Sequence, residues 1–225
     1  AFAADLVGGA GTAGLFLGDG REIVTVQRAG AALAGKSVSQ LEMSADTALN
    51  VSGQLAYAAT FTDGTRGVFV YTPGLRWRES VGGSWEDAGA WTLGLRPDAV
   101  HDVSIDPATT LTVRGPAGQA NLLSLTVGSG TGFATLALAG GSINLSGAVQ
   151  IAERGILTGG GSIGAQVVNR GEVRADNLVI TGGLLNDGSV RGSSVGNHRI
   201  DAGLWNRSAG VVRVDAGELL VLQGF

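Results

Sequence analysis

Two glycine-rich motifs in the sequence have the spacing of a nucleotide-binding loop. Residues 9–14 and 159–164 both match G-x-G-x-x-G. In a dinucleotide site a helix starts directly after this motif, because its free N–H groups hold the pyrophosphate. Strand-like alternating residues follow both motifs here, so we expect ordinary glycine turns and no bound cofactor.

A third motif has the spacing of a hydrolase nucleophile. Residues 192–196 read G-S-S-V-G, and His198 and Asp201 follow closely. A nucleophile elbow needs a strand, a sharp turn and a helix, and no helical pattern follows Ser194. We therefore expect a polar surface turn. With two histidines and no cysteine, a zinc site is not expected either.

A third kind of chemistry would need acids and arginines on one exposed groove, as in carbohydrate-active β-helix enzymes. Arginine recurs at one position of a repeated motif, and Asp176 and Asp215 lie near it. We interpret these residues as a solvated charged ladder and expect no catalytic activity. The recurring arginines are Arg174, Arg191 and Arg213.

The composition predicts an all-β protein with many tight turns. Glycine accounts for 39 of 225 residues and proline for 4, while 44% of residues are hydrophobic. This glycine content disfavours helices, and the hydrophobic content disfavours disorder. A net charge of −4 with a single lysine, Lys36, argues against a nucleic-acid partner. No apolar run is long enough for a membrane span.

Residues 1–75 contain a duplicated unit. The segment that starts at Phe2 aligns with the segment that starts at Tyr57, and Gly14-Leu15-Phe16-Leu17 aligns with Gly67-Val68-Phe69-Val70. Each copy reads as two apolar strands around a glycine-rich turn. We predict antiparallel β-hairpin, propeller-like repeats, and we expect earlier units before residue 1.

Residues 76–225 are predicted to form a parallel β-helix with a tryptophan-rich N-terminal cap. From residue 121 onward the chain has a period of about 20 residues, which is typical of that fold. A frame of two apolar residues, Asn, any residue, Gly, any residue, Val and Arg recurs. We predict a right-handed coil in which Asn169, Asn186 and Asn206 stack as a ladder. The alternative is that each asparagine only favours a turn conformation.

Tryptophans cluster at the junction between the two regions, at Trp77, Trp85 and Trp91. An indole buries a large apolar area and needs one polar partner. Trp85 and Trp91 are therefore predicted to cap the open end of the first coil. The alternative is that they stack on sugar rings.

The start of the second region resembles the opening of autotransporter-type passenger regions of bacterial secreted and surface proteins. The residues that carry this resemblance are Trp85, Trp91, Pro97, Asp102-Val103-Ser104-Ile105, 122–128 and 136–147. Residues 48–70 are similar to repeats of exported, sorting-anchored bacterial proteins. The resemblance implies secretion, with an extracellular or cell-surface location.

The function that this resemblance implies is structural: a stalk, fibre or adhesin segment built by coil stacking. Open β-helix ends would allow self-association with another copy. The alternatives are a carbohydrate-binding adhesin with a surface polysaccharide as partner, or a carbohydrate-active β-helix enzyme.

Overall fold

The computed structural model of the chain describes residues 1–5, 13–44, 47–192, 198–214 and 220–222. Two compact units are present: residues 1–73 with 93–95, and residues 74–92 with 96–225. The segment 93–95 joins the first unit because Leu93 packs against its core, and the Leu93 N–H donates to Glu22 Oε1 at 2.9 Å.

The first unit is made of two antiparallel sheets. The strand order is β1-β2-β3 in one sheet and β4-β5-β6-β7 in the other. The strands are β1 (Phe2–Asp5), β2 (Ala13–Gly18), β3 (Ile23–Arg28), β4 (Ala32–Leu33), β5 (Lys36–Glu42), β6 (Leu55–Phe61) and β7 (Arg66–Tyr71).

The predicted hairpin repeat is confirmed by the strand register. Phe2 pairs with Phe16 across β1 and β2, and Tyr57 pairs with Phe69 across β6 and β7. The ring centroids are 5.5 and 5.8 Å apart. A Cβ at Gly14 would lie 2.8 Å from the Phe16 ring, and a Cβ at Gly67 would lie 2.9 Å from the Phe69 ring. Both copies therefore use glycine to make room for an aromatic ring.

The two sheets share one hydrophobic core. Leu15 and Leu17 of β2 belong to the same buried cluster as Leu55, Tyr57 and Phe61 of β6. Alternation along β6 explains this cluster, since every second side chain of that strand is buried.

The second unit is a β-solenoid whose parallel strands stack along three sides, which confirms the predicted parallel β-helix. The short 3₁₀ turn Ala88–Ala90 lies near its beginning, and a second one, Thr92–Gly94, starts at the last residue before the segment 93–95. About five turns separate the first complete triplet of strands, β10–β12, from the last, β23–β25.

Side one contains β8 (Leu75–Arg76), β10 (Asp102–Ile105), β13 (Ser124–Val127), β15 (Ala148–Ile151), β17 (Gln166–Asn169), β20 (Leu184–Asn186) and β23 (Leu204–Asn206). Side two contains β9 (Gly83–Ser84), β11 (Leu111–Arg114), the first half of β14 (Ala134–Leu145), the first half of β16 (Gly155–Ile163), β18 (Glu172–Ala175), β21 (Ser189–Gly192) and β24 (Val211–Arg213). Side three contains β12 (Gln119–Leu122), the second halves of β14 and β16, β19 (Leu178–Ile180), β22 (His198–Ile200) and β25 (Leu220–Leu222).

Inward side chains of successive turns lie directly above one another and form the core. On side one, Val103 pairs with Leu125 and Leu125 with Val149. All three are buried in a single cluster that runs through the solenoid. A fully buried Val or Leu side chain stabilises a fold by about 1.5–3 kcal/mol. Stacking of such columns therefore holds the turns together without disulfides.

Candidate functional site

The three asparagines of the repeated frame lie in register on neighbouring turns of side one. Asn169 pairs with Asn186, and Asn186 pairs with Asn206. The Asn169 Nδ2 donates to Asn186 Oδ1 at 2.7 Å, and the Asn186 Nδ2 donates to Asn206 Oδ1 at 2.7 Å. Asn169 and Asn186 are completely buried, while Asn206 is exposed. The amides thus form a continuous hydrogen-bonded ladder along the axis.

The ladder replaces an aliphatic column part of the way along the solenoid. The same inward position is Ile105, then Val127, then Ile151 in the preceding turns. Ile151 lies next to Asn169, whose Oδ1 has no hydrogen-bond partner among the described residues. The first amide of the ladder is therefore satisfied on its donor side only.

The glycine of the frame allows the turns to approach closely. A Cβ at Gly171 would lie 2.2 Å from the Gly155 carbonyl oxygen, and a Cβ at Gly188 would lie 2.2 Å from the Gly171 carbonyl oxygen. Only glycine leaves room for these backbones. The repeated Asn-x-Gly thus combines an amide that bonds along the axis with a turn that has no side chain.

The arginines of the frame form a second ladder, on the outer face of side two. Arg174 pairs with Arg191, and Arg191 with Arg213. Glu172 contacts the first two, at 2.8 Å from Arg174 and 3.5 Å from Arg191. The hydrogen bond from Arg174 and the charges of both arginines hold the pKa of Glu172 below its ordinary value. Asp215, which the sequence placed near this ladder, lies outside the described residues.

The histidine of the candidate hydrolase motif, His198, is buried. His198 is fully buried in the inward column that contains Leu178, and its Nδ1 accepts the backbone N–H of Asn177 at 2.9 Å. Asp201 pairs with Arg199 at 2.7 Å. Ser194 lies outside the described residues. The described part of the motif thus places the imidazole in the core, where it accepts a turn N–H.

The tryptophans at the junction lie inside the solenoid core. Trp85 and Trp91 are buried with Trp77, and Trp91 packs edge-to-face on both other rings, at centroid distances of 4.9 and 5.1 Å. The Trp91 Nε1 donates to the Trp85 carbonyl at 3.0 Å, and the Trp77 Nε1 donates to the Val81 carbonyl at 3.1 Å. Neither Trp85 nor Trp91 offers an open ring face to a sugar, and both cover the first turn.

Trp205 was overlooked in the sequence analysis. Its side chain is 50% exposed and lies in an outward column of side one with Val168 and Leu185, which are half-buried. Its exposure could have been predicted from its place between Leu204 and Asn206. Both neighbours occupy inward positions of the repeat, and side chains alternate along a strand, so Trp205 must point outward.

A polar groove of about 340 Å³ lies on the outer face of side one, over its first turns. Its charged residues are Arg76, Asp102 and Asp106, and its hydroxyls come from Ser104, Ser124 and Thr126. The Ser124 hydroxyl donates to Asp102, and the Ser104 hydroxyl donates to Asp106 at 3.4 Å. The two carboxylates are four residues apart on an extended strand, so their Cα atoms are about 13 Å apart. This surface can bind hydroxyl groups through several hydrogen bonds.

No cluster of three or more His, Asp or Glu side chains that could hold a metal occurs within the described ranges. The part of the chain that the structure describes also contains no helix with the length and hydrophobicity of a membrane-spanning segment.

Part of the hairpin unit is similar to a known family. Residues 19–73 match a family described as "Family of unknown function (DUF7453)". The match lies in the hairpin unit and covers less than half of the chain. Neither the curated proteins nor the solved structures that were compared include a match to this chain.

Proposed function

We propose that the chain is a structural segment of an extracellular or cell-surface bacterial protein, in which the solenoid acts as a rigid stalk or fibre element. The observation that carries the proposal is the stack of parallel turns, with one buried cluster from Trp77 to Ile200. Repeat folds of this kind are stabilised by contacts between neighbouring turns, so they can extend in one dimension.

Two features support a mechanical role. The tryptophan cluster belongs to the same buried core as Val103 and Val113 of the first turn, which supports a role for it in stabilising this end of the stack. The asparagine ladder joins the later turns by side-chain hydrogen bonds in addition to the backbone ladders. Both features add contacts that must break before turns separate.

The proposal includes self-association at the far end of the solenoid. Among the described strands, β23, β24 and β25 each pair on one side only. Trp205, Val211 and Val212 are exposed there. An apolar strand edge accepts further strands, which come either from continuation of the chain or from another copy.

Labelling of intact bacteria tests the location. An antibody raised against residues 76–225 is expected to bind unpermeabilised cells of the source organism, and protease added outside is expected to remove the signal. Labelling that requires permeabilisation would contradict the proposal. An antibody against a cytoplasmic protein of the same cells provides the control.

A second candidate function is carbohydrate binding in the polar groove. Arg76, Asp102 and Ser124 present a cation, a carboxylate and a hydroxyl on adjacent strands, which suits the hydroxyls of a polysaccharide. Binding to an array of bacterial surface glycans tests this role, with Asp102→Asn and Ser124→Ala weakening any interaction. The substitution Glu153→Gln, on an exposed turn outside the groove, is the control. No binding by the wild-type chain would remove this candidate.

A further inference from the structure

Each of the two sheets of the first unit has one face that the other sheet does not cover. We define the aromatic face as the side of β1–β3 that carries Phe2, Phe16 and Ile23. We define the valine face as the side of β6–β7 that carries Ala56, Ala58, Val68 and Val70. The opposite faces of the same sheets form the shared core.

Internal duplication identifies the residue that corresponds to each position. Ala3 pairs with Leu15 in the first hairpin, and Ala58 pairs with Val68 in the second. Val68 and Val70 are therefore the counterparts of Leu15 and Leu17. By the same register, Phe2 and Phe16 are the counterparts of Tyr57 and Phe69.

Corresponding residues differ greatly in exposure. Leu15 and Leu17 are 1% and 3% exposed because the second sheet covers them. Val68 and Val70 are 80% and 62% exposed. The valine face thus repeats a buried surface of the first sheet but has no sheet upon it among the described residues.

The same comparison identifies what the valine face would bind. Leu15 and Leu17 share their core with Tyr57 of β6, and Phe69 packs against it. The counterparts of these two rings are Phe2 and Phe16, which lie on the aromatic face. Phe2 and Ile23 of that face are exposed, whereas Phe16 is 5% exposed and stacks against Phe2. One molecule therefore has a valine face and an aromatic face, which are the counterparts of the two surfaces that already pack against each other in its core.

We propose that the valine face binds the aromatic face of another copy of this chain. The contact between molecules repeats the contact between the two sheets within one molecule. This association is heterologous, since two different surfaces meet, and repeated contacts of that kind produce rings or open filaments.

The shape of the valine face fits this occupant. A groove of about 370 Å³ lies on it. Ala56, Ala58 and Val68 supply its apolar lining together with Met43, and Glu42 and Ser44 add polar groups at its edge. The small alanine side chains leave space for an aromatic ring from the facing sheet. Burial of exposed apolar surface supplies the driving force.

Sedimentation velocity of the full chain over a wide concentration range tests the proposal. The wild-type chain is expected to form concentration-dependent oligomers. The substitution Val68→Lys buries an unpaired charge at the contact, and we expect the association constant to fall at least about tenfold. Val51→Lys, at another exposed position of the same unit, is the matched control and should associate like wild type.

Mixing two variants identifies the heterologous arrangement. Ile23→Lys blocks the aromatic face and leaves the valine face intact, whereas Val68→Lys does the reverse. Both variants also carry Val212→Lys, so that association at the solenoid end does not interfere. Each variant alone is then expected to be monomeric, and the mixture is expected to form one-to-one dimers that do not grow further. Circular dichroism of both variants checks that they fold.

The outcomes separate this contact from association at the solenoid end. Val212→Lys changes the exposed end of the solenoid and should leave the contact between the sheets intact. A wild-type chain that stays monomeric overturns the proposal, as does equal association of Val68→Lys and wild type. A mixture of Ile23→Lys and Val68→Lys without dimers also contradicts it.

Discussion

At the scale of single residues, Asn186 has the central position in the amide ladder. It accepts from Asn169 and donates to Asn206, and it is completely buried. We expect Asn186→Ala to lower the free energy of unfolding by about 2–3 kcal/mol, because two ladder bonds are lost and a buried donor loses a partner. Urea unfolding monitored by circular dichroism measures the change.

The matched control is Asn206→Ala. Asn206 itself is exposed, and the Asn186 Nδ2 keeps the carbonyls of Gly188 and Val211 as acceptors, each at 3.3 Å. We therefore expect a loss of less than about 1 kcal/mol. Equal losses for the two variants would mean that the ladder contributes no more than ordinary turn asparagines.

Glu172 predicts a dependence of stability on pH. Its pKa in the folded chain lies below the ordinary value of 4.5, chiefly because Arg174 donates a hydrogen bond to it. The unfolded chain therefore takes up this proton first as the pH falls. The stabilisation is fully present above pH 4.5 and is lost as the pH falls through the folded pKa.

We expect Glu172→Gln to reduce stability at neutral pH, and we expect this difference from wild type to shrink below pH 4.5. Thermal unfolding at several pH values measures it, with Glu153→Gln as a control on an exposed turn. A difference that grows as the pH falls would contradict the sign.

The sequence predicted residues best where a repeat was present. The frame of the later turns placed Asn169, Asn186 and Asn206 at one position, and they pair in register. The polar groove could not be predicted in this way. Asp102 and Ser124 are brought together by strand pairing between turns that share no recurring motif.

At the scale of elements, the glycine turns determine how closely the strands stack. A Cβ at Gly188 would lie 2.2 Å from a carbonyl oxygen of the turn below. We expect Gly188→Ala to destabilise the solenoid by about 2–4 kcal/mol, since the backbones must separate. Chemical denaturation measures this loss.

Gly118→Ala is the control, because a Cβ there meets no atom within 4 Å. We expect it to change stability by less than about 1 kcal/mol, with a sign toward stabilisation from reduced freedom of the unfolded chain. A similar loss in both variants would show that backbone freedom, and not the close approach, determines the effect.

The elements themselves were predictable to different degrees. The hairpins follow from alternating residues around a turn, which are local signals. The long strand β14 was not predicted, because it continues from one side of the solenoid to the next with a register irregularity between Ala139 and Ser142. Such a corner depends on the strands below and above it and leaves no local signal beyond Gly140 and Gly141.

At the scale of the whole molecule, each described strand of the solenoid pairs with strands of the neighbouring turns. A cavity in one turn should therefore loosen the turns near it more than distant ones. Leu184 is completely buried in β20. We expect Leu184→Ala to speed hydrogen exchange from β20 to β24, while β10 and β13 keep their protection.

Hydrogen exchange with mass spectrometry measures this gradient. Leu125→Ala, at a buried position of β13, is the mirror variant and should affect the first turns most. A uniform increase along the whole solenoid in both variants would indicate a single cooperative unit instead.

The coils that contain Asn-x-Gly are nearly equivalent to one another. Each presents the same asparagine amide, the same glycine turn without a side chain and the same valine to the coils on either side. Duplication of one such coil would add a turn to the solenoid and leave the type of contact between neighbouring coils unchanged. Because adjacent strands are spaced by about 4.8 Å, each added turn lengthens the solenoid along its axis by that amount. Simple gene duplication could thus adjust its length while its chemistry stays constant.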